Sequence, residues 1–277
     1  MKILVSGASG FFGRNFISLA SKKGHHIYAI SRYKQKKIKN VKWMIGSLDK
    51  NFKEFKKCEV LVHFASAGVS NRNLSYKKAF DTNVTKSTQF LINAAHAGCL
   101  KWVVIGTSSE YGETLKFGRP VKISSKRLPV CNYGKTKSLF SDLCKILSKT
   151  FKSRCRNMRA FPVFGLHESE NRLVPSLLKS IREKKNFTVN NPMEKRDFSN
   201  IEDIVKKILL AINFPKKSDS NYEEWHLASG NAVKVGDFVK NICKKMKYDK
   251  ELIFKNNNKK LFHHISDKKS IWRPNEM

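Results

Sequence analysis

The chain has 277 residues, of which 40% are hydrophobic, enough for one large domain or for a domain with a smaller lobe. The chain has only 14 glycines and 7 prolines, too few for a collagen-like or linker-like protein, and no apolar run reaches the length of a membrane helix. The 55 lysines and arginines against 22 acidic residues give a formal charge of +33, which would attract polyanions such as nucleic acid.

The basic residues are spread along the whole chain, in segments such as "YKQKKIKNVK" and "KNNNKK". Nucleic-acid-binding proteins concentrate such charge on one element and interleave it with aromatic residues, so we interpret the lysines as a solvated surface. The six cysteines form no C-x-x-C pair and have no histidine at zinc-finger spacing, which predicts reduced thiols and no metal site. With no secretory signal at the N-terminus, we expect a cytoplasmic protein.

The first predicted strand, "KILVS", runs into "GASGFFGRNF", where three glycines lie three residues apart. A strand that passes through glycines into a helix lets backbone approach a phosphate, and the helix N-terminus supplies N–H donors. We therefore predict a dinucleotide-binding turn. Its expected cofactor-binding residues are Gly7, Ser9, Gly10, Phe11, Phe12 and Gly13.

The second predicted strand ends "AISRYKQKK", without the acidic residue that would bind the ribose 2′-hydroxyl of NAD. Ser31 and Arg32 stand there instead. These residues favour the 2′-phosphate of NADP, with NAD as the alternative cofactor.

Strand-like and helical patterns alternate through the first two thirds of the chain, and Gly24 and Gly98 mark helix ends. This alternation predicts an α/β protein with a Rossmann-type, doubly wound parallel sheet and a smaller C-terminal α/β substrate lobe. We assign 1–165 to the dinucleotide-binding domain, with 196–230 partly returning to it. The small lobe then comprises 166–195 and 231–277.

A long amphipathic helix is predicted from about residue 131, and Tyr133 and Lys137 lie one turn apart near its start. An ammonium close to a phenol lowers the phenol's pKa toward neutrality, which suits a proton-transferring tyrosine. The same spacing recurs at Tyr33 and Lys37, so position must decide between the pairs. Tyr133 follows a strand that ends in hydroxyl residues, "VVIGTSSEYG", at the edge where ligands bind in such sheets.

With these motifs the chain resembles the extended short-chain dehydrogenase/reductases, specifically the NAD(P)-dependent nucleotide-sugar epimerases, dehydratases and reductases. Similar motifs recur in order as "VHFASAG", "DTNVTKSTQFLINAA", "RAFPVFG", "RDFSNIEDIV" and "WHLASGNAVKVGDFV". The resemblance implies that Tyr133 is the acid/base and that Lys137 holds the nicotinamide ribose. It also implies that a hydroxyl group binds the reacting sugar oxygen. Aligning the family motif from the preceding strand assigns this role to Ser108, which we prefer, whereas aligning it from "YG" assigns it to Thr107.

The resemblance implies further contacts along the chain. Glu110 and Arg196 are expected to bind the substrate, Arg196 at its pyrophosphate, with an ion pair between Arg196 and Asp197 as the alternative. The remaining residues expected to contact the cofactor are Ser47, Leu48, Phe64, Ala65, Ala67 and Thr107.

The chain departs from the family pattern at two places. Glu110 directly precedes Tyr111, where the family often has one residue more, so the aim of Glu110 is open. Pro162 stands where the family often has asparagine, and proline donates no hydrogen bond. Both departures concern substrate contacts.

The resemblance implies an enzyme acting at C4 of a nucleotide-linked hexose, as a 4-ketoreductase or a 4-epimerase. A 4,6-dehydratase using Ser109 and Glu110 is the enzymatic alternative. A non-catalytic Rossmann protein that senses NADP(H) or binds RNA is the alternative of another class. We also expect a homodimer through the helices near 81–97 and 132–150.

Overall fold

The computed structural model describes residues 1–69, 74–214, 220–256 and 261–274. Its strands, in chain order, are β1 (Lys2–Ser6), β2 (His26–Ser31), β3 (Val41–Ile45), β4 (Val60–His63), β5 (Lys101–Thr107), β6 (Arg154–Ala160), β7 (Val163–Phe164), β8 (Phe187–Asn190), β9 (Lys195–Asp197), β10 (Ser199–Asn200), β11 (Tyr222–Leu227), β12 (Ala232–Lys234) and β13 (Leu252–Lys255). Its α-helices are α1 (Phe11–Lys22), α2 (Tyr76–Phe80), α3 (Ser87–His96), α4 (Asn132–Thr150), α5 (Leu173–Arg182), α6 (Ile201–Ala211) and α7 (Val235–Lys245).

Seven parallel strands form the central sheet, in the order β11–β6–β5–β4–β1–β2–β3. The order reverses between β1 and β4, which is the position where doubly wound sheets open a ligand crevice. The predicted fold class, a Rossmann-type parallel sheet flanked by helices, is thereby confirmed.

Side chains of the central strands alternate between two buried layers. Ile3 and Val5 of β1 pack in one apolar cluster with α1 and α6, whereas Leu4 packs in the other with α3 and α4. Strands buried on both faces read as continuous apolar runs, as "KILVS" and "VLVH" do. The sheet therefore holds its strand ends, and the residues that follow them, in fixed positions.

The helix stops predicted from glycine are present. Gly24 follows α1 with a φ of 82°, and Gly98 follows α3 with a φ of 85°. Both angles lie in the left-handed region, where side chains are strained and glycine is not.

A smaller unit follows β6. Its apolar cluster joins α5, β8, α7 and β13 through residues such as Leu177, Val189 and Val239. By contrast, β11 is the seventh strand of the main sheet and α6 packs on α1. Trp272 also lies in the apolar cluster of the main sheet.

Within the described ranges, no helix is long and apolar enough to cross a membrane. All six cysteines are free; five are buried, and Cys131 is exposed. The described residues contain no group of three or more histidine, cysteine or acidic side chains placed to hold a metal ion.

Candidate active site

A cavity of about 1020 Å³ lies at the carboxyl ends of the parallel strands, lined by residues that follow β1, β2, β4, β5 and β6. The structure brings most of the predicted site residues together on its walls. These are Gly7, Ser9, Gly10, Phe11, Phe12, Ser31, Arg32, Ser47, Leu48, Phe64, Ala65, Ala67, Thr107, Ser108, Tyr133 and Arg196. Three predicted residues, Gly13, Glu110 and Lys137, do not line it.

The glycine turn at the end of β1 is built for close backbone approach. Gly7 has a φ of 63°, and a Cβ there would stand 2.5 Å from the backbone nitrogen of Ala65. A Cβ at Gly13 would stand 2.2 Å from the carbonyl oxygen of Gly7, so only glycine lets α1 start so close to the strand. Gly13 thus shapes the turn from behind, while Gly10 faces the cavity at the helix N-terminus.

Basic side chains line the cavity beyond β2. Ser31 is buried and its hydroxyl donates to the Tyr33 carbonyl, whereas Arg32 is exposed and stacks near the Tyr33 ring. Lys86 also lines the cavity and is paired with Asp81 at 2.7 Å. The pair with Asp81 raises the pKa of Lys86, and the Arg32 charge acts in the opposite direction with a smaller effect. This end of the cavity carries two cations and suits an anionic group.

The loop after β4 is fixed by a buried asparagine. The Asn83 carboxamide accepts a hydrogen bond from the Ala67 N–H at 2.7 Å and donates one to the Ala67 carbonyl at 2.9 Å. The same amide donates to the Thr136 hydroxyl on α4 at 2.9 Å. Asn83 thereby ties the loop that carries Ala67 to the helix that carries Tyr133.

Tyr133 lies in the first turn of α4, which begins where Cys131 caps the helix through a hydrogen bond from the Gly134 N–H. Burial raises the pKa of Tyr133 to about 12, and a hydrogen bond with the Thr107 side chain acts in the opposite direction. Thr107 and Ser108, the two hydroxyl residues considered from the sequence, both line the cavity with Tyr133.

Lys137 lies one turn further along α4 and is fully buried, with its ammonium over the Phe140 ring at 5.4 Å. Burial lowers the pKa of Lys137, and the nearby Glu110 charge opposes that effect. Burial is the largest influence on the Tyr133 pKa and acts against the lowering expected from Lys137.

Glu110 is turned away from the cavity into a buried polar network. Its carboxylate accepts from the Thr107 N–H at 2.9 Å, from the Ser141 hydroxyl at 2.9 Å and from Arg159 Nε at 3.0 Å. Arg159 also donates to Glu224 at 2.5 Å. With every carboxylate oxygen engaged inside the protein, Glu110 holds the loop after β5 and makes no cavity contact, which corrects the expectation that it binds substrate.

The network continues away from the cavity. The Tyr111 hydroxyl lies 2.5 Å from His226 Nε2 and 3.3 Å from Arg159, and His226 Nδ1 lies 2.9 Å from the Ser266 hydroxyl. Burial, with the neighbouring Arg159 charge, lowers the pKa of His226 to about 3. The histidine is therefore neutral near pH 7, and the network anchors the C-terminal segment under the site.

Ser108 does line the cavity, with a different partner. Its hydroxyl lies 2.8 Å from Nδ1 of His264, a half-buried residue that lines the same cavity. The two candidate hydroxyls, adjacent in sequence, thus have separate hydrogen-bond partners: Thr107 accepts from the Ser109 N–H and Ser108 bonds His264.

Arg196 lies where this cavity meets a second one of about 950 Å³. Its guanidinium pairs with Glu194 at 2.5 Å, not with Asp197, which instead accepts hydrogen bonds from the backbone of Ser229 and Gly230. Arg172 faces both cavities as well. Two guanidinium groups therefore flank the junction.

Glu168 also lies at this junction. It pairs with Arg172 at 3.5 Å, and burial raises the pKa of its carboxyl. Pro162 borders both cavities at the position where an asparagine was expected.

Sequence reasoning missed Lys86, Arg172, Glu168 and His264 as cavity residues. Lys86 lies in the quoted segment "DTNVTKSTQ", five residues after its partner Asp81, and that segment was the available signal. No local pattern marks Arg172 or His264, which reach the cavity only through the packing of the small unit and the C-terminal segment.

The chain matches the sequence profile of the NAD dependent epimerase/dehydratase family over residues 3–227. It is 27% identical over 237 residues to the uncharacterized UDP-glucose epimerase YtcB of Bacillus subtilis, covering 78% of this chain and 73% of that protein. It is 24% identical to the bifunctional protein gal10 of Schizosaccharomyces pombe, and it spans only 40% of that protein's length.

Two solved structures are similar in fold. A UDP-glucuronic acid 4-epimerase from Bacillus cereus, in complex with UDP-glucuronic acid and NAD, superposes with a TM-score of 0.83 at 21% identity, covering 96% of this chain and 90% of that one. A UDP-N-acetylglucosamine 4-epimerase from Methanobrevibacter ruminantium gives a TM-score of 0.84 at 19% identity, covering 96% and 89%.

Proposed function

The chain belongs to the NAD dependent epimerase/dehydratase family, and on that premise we propose that it acts at C4 of a nucleotide-linked hexose, as a 4-ketoreductase or a 4-epimerase. The observation that carries the proposal is the position of Tyr133. Its side chain is half-buried and, with Thr107, lines a cavity that also begins at the Gly7–Gly10 turn. A proton-transferring group and a phosphate-binding turn therefore share one cavity.

The turn after β1 fits a nicotinamide dinucleotide. A Cβ at Gly7 or Gly13 would overlap backbone, so the chain holds space for close approach there, and the N-terminus of α1 offers N–H donors. When bound, the dinucleotide supplies hydride exchange with the sugar carbon. The remaining chemistry falls to the chain's own residues.

The cations beyond β2 support NADP over NAD. Arg32 and Lys86 both line the cavity, and the Arg32 charge acts to lower the Lys86 pKa. β2 ends at Ser31 and carries no carboxylate after it to accept from a ribose 2′-hydroxyl. We assign Ser31, Arg32 and Lys86 to a 2′-phosphate.

Tyr133 exchanges a proton with the oxygen on C4, as donor when a ketone is reduced and as acceptor when an alcohol is oxidised. The Thr107 hydroxyl, which lowers the pKa of the phenol against the larger effect of burial, orients that oxygen and favours the phenolate. Glu110 supports this pair from behind through the Thr107 N–H. Lys137, buried one turn along α4, is assigned to the nicotinamide ribose on the strength of the family pattern alone.

The two cavities support a substrate with two ends. The sugar lies beside Tyr133, and Arg196, assisted by Arg172, binds the diphosphate at the junction. The nucleoside then occupies the second cavity. The dehydratase alternative is less well supported, because the carboxylate it would use, Glu110, is engaged inside the protein.

We also propose a homodimer in a reducing compartment such as the cytoplasm. On α4, Leu139 is 43% and Ile146 is 58% exposed, two turns apart on one face, which is a high exposure for apolar residues within a helix. All six cysteines are free thiols. Sedimentation equilibrium of the parent and of Ile146→Glu tests the dimer: a parent that sediments as a monomer would contradict it.

The proposed activity is tested by a screen of UDP-, dTDP-, GDP- and CDP-hexoses and their 4-keto forms with NADPH and NADH. We expect turnover of at least one compound, with the change confined to C4. Tyr133→Phe should abolish that turnover while leaving cofactor binding in place. Unchanged turnover in Tyr133→Phe, or no turnover of any compound by the parent, would contradict the proposal.

A further inference from the structure

We propose that His264 is a positioning residue that fixes the Ser108 hydroxyl to bind the hexose beside C4. This inference rests on the proposed function, because it assigns the sugar to the cavity that Tyr133 lines. It adds a residue of the C-terminal segment to the sugar-binding wall and gives Ser108 a role separate from that of Thr107.

The first observation is how the structure divides the two hydroxyls after β5. The Thr107 hydroxyl accepts from the Ser109 N–H at 3.2 Å and lowers the pKa of the nearby Tyr133 phenol, whereas the Ser108 hydroxyl lies 2.8 Å from Nδ1 of His264. Ser108 is only 3% exposed yet lines the cavity, so what surface it has faces that space. Ser108 can therefore bind a sugar oxygen other than the C4 oxygen, which we assign to Thr107 and Tyr133.

The second observation is that the backbone holds His264 firmly. The Asp197 N–H donates to the His264 carbonyl at 2.8 Å, and the His263 N–H donates to the Leu115 carbonyl at 3.0 Å. One residue further, the Val121 N–H donates to the Ile265 carbonyl at 2.9 Å. Hydrogen bonds to three separate segments fix the backbone that carries the imidazole, as a positioning group requires.

The chemistry follows from the imidazole nitrogen. When Nδ1 accepts, the Ser108 proton is committed to it and the serine lone pairs accept from a sugar hydroxyl; when Nδ1 carries the proton, the serine proton is donated to a sugar oxygen. In both cases the serine rotamer is fixed before substrate arrives. Without His264, the hydroxyl can rotate, and its orientation must be fixed during binding.

Four variants separate this role from a structural one. His264→Ala removes the partner, and His264→Asn keeps a hydrogen-bonding atom near the position of Nδ1. Ser108→Ala and the double variant Ser108→Ala/His264→Ala complete a mutant cycle. His263→Asn is the matched control, because His263 is the neighbouring residue, does not line the cavity, and bonds the Lys195 N–H through Nδ1.

We expect His264→Ala to lower kcat/KM about tenfold, the effect of one lost hydrogen bond. His264→Asn and His263→Asn should stay within about threefold of the parent. The double variant should be no worse than Ser108→Ala, because His264 acts through Ser108. An additive double variant, or full activity in His264→Ala, would overturn the proposal.

Calorimetry gives a readout that does not depend on turnover. UDP-glucose, UDP-N-acetylglucosamine and UDP-glucuronic acid are titrated into the cofactor-saturated enzyme, with UDP as the reference. His264→Ala should weaken binding of the sugar nucleotide with the highest affinity about tenfold and leave the affinity for UDP unchanged. Equal weakening of both would refute a sugar-specific role. A parent that binds these compounds without turnover would contradict the proposed function alone, so the two failures are distinguishable.

Discussion

Replacing Glu110 with glutamine should destabilise the protein while leaving the residues that face substrate in place. The carboxylate is fully buried, and three donors meet it: Thr107 N–H, Ser141 Oγ and Arg159 Nε. Breaking a buried ion pair by neutralising one partner typically costs about 3–5 kcal/mol. Because Arg159 keeps Glu224 at 2.5 Å, we expect the low end, about 3 kcal/mol.

Urea denaturation and thermal scans of the parent and Glu110→Gln measure this directly. With an unfolding entropy of about 2.1 cal/mol/K per residue, a chain of 277 residues loses about 5 °C in Tm for about 3 kcal/mol. Glu113→Gln is the matched control: Glu113 pairs with Lys116 on the surface, where its side chain is 45% exposed, so its loss should cost under about 1 kcal/mol. Unchanged stability in Glu110→Gln with a raised KM would refute the buried-network account and favour the substrate contact expected from sequence.

Three further predictions concern charge and proton binding. Arg32→Asp and Lys86→Gln should each weaken NADPH binding about ten- to a hundredfold and change NADH binding little, because only NADPH carries the 2′-phosphate. Titration followed by cofactor fluorescence measures both affinities. Equal losses of affinity for both cofactors would contradict a 2′-phosphate site. Burial lowers the pKa of His226 from 6.5 to about 3, so the unfolded chain binds a proton between those values that the folded chain does not. The free energy of unfolding present above pH 6.5 should therefore fall toward pH 3 by up to about 1.4 kcal/mol per pH unit. Urea denaturation at several pH values measures this dependence. If His226→Gln showed the same dependence of unfolding free energy on pH as the parent, the prediction would be contradicted. The Tyr133 phenol should ionise near pH 12 in the cofactor-free enzyme. Ultraviolet difference titration of the parent against Tyr133→Phe measures this ionisation. Ionisation of Tyr133 below pH 10 would contradict the raised pKa.

The residues that sequence located correctly follow from local rules. The spacing of Gly7 and Gly13 implied a turn that only glycine can make, and apolar runs such as "KILVS" implied strands buried on both faces. Since the carboxyl ends of parallel strands share one edge, residues far apart in the chain, such as Arg32 and Thr107, were expected on one wall. Arg32 and Thr107 line the same cavity.

What sequence could not locate depends on tertiary packing. Glu110 could face either the cavity or the interior, and the decision lies with Arg159, a residue of β6 that is 49 positions away. The Tyr133–Lys137 spacing located both residues near the start of α4, but it could not reveal that burial raises the pKa of the phenol. His264 reaches the site only because the last described segment packs back on the main core, as Trp272 shows.

The central claim is that Tyr133 serves proton transfer at C4 of a nucleotide-linked hexose. The most direct measurement uses reduced cofactor carrying deuterium at the transferred position, with 4-keto nucleotide sugars as acceptors and NMR to locate the label. We expect deuterium at C4 of the sugar with the parent enzyme and none with Tyr133→Phe, although both bind the cofactor. Deuterium at another carbon, or equal labelling by Tyr133→Phe, would contradict it.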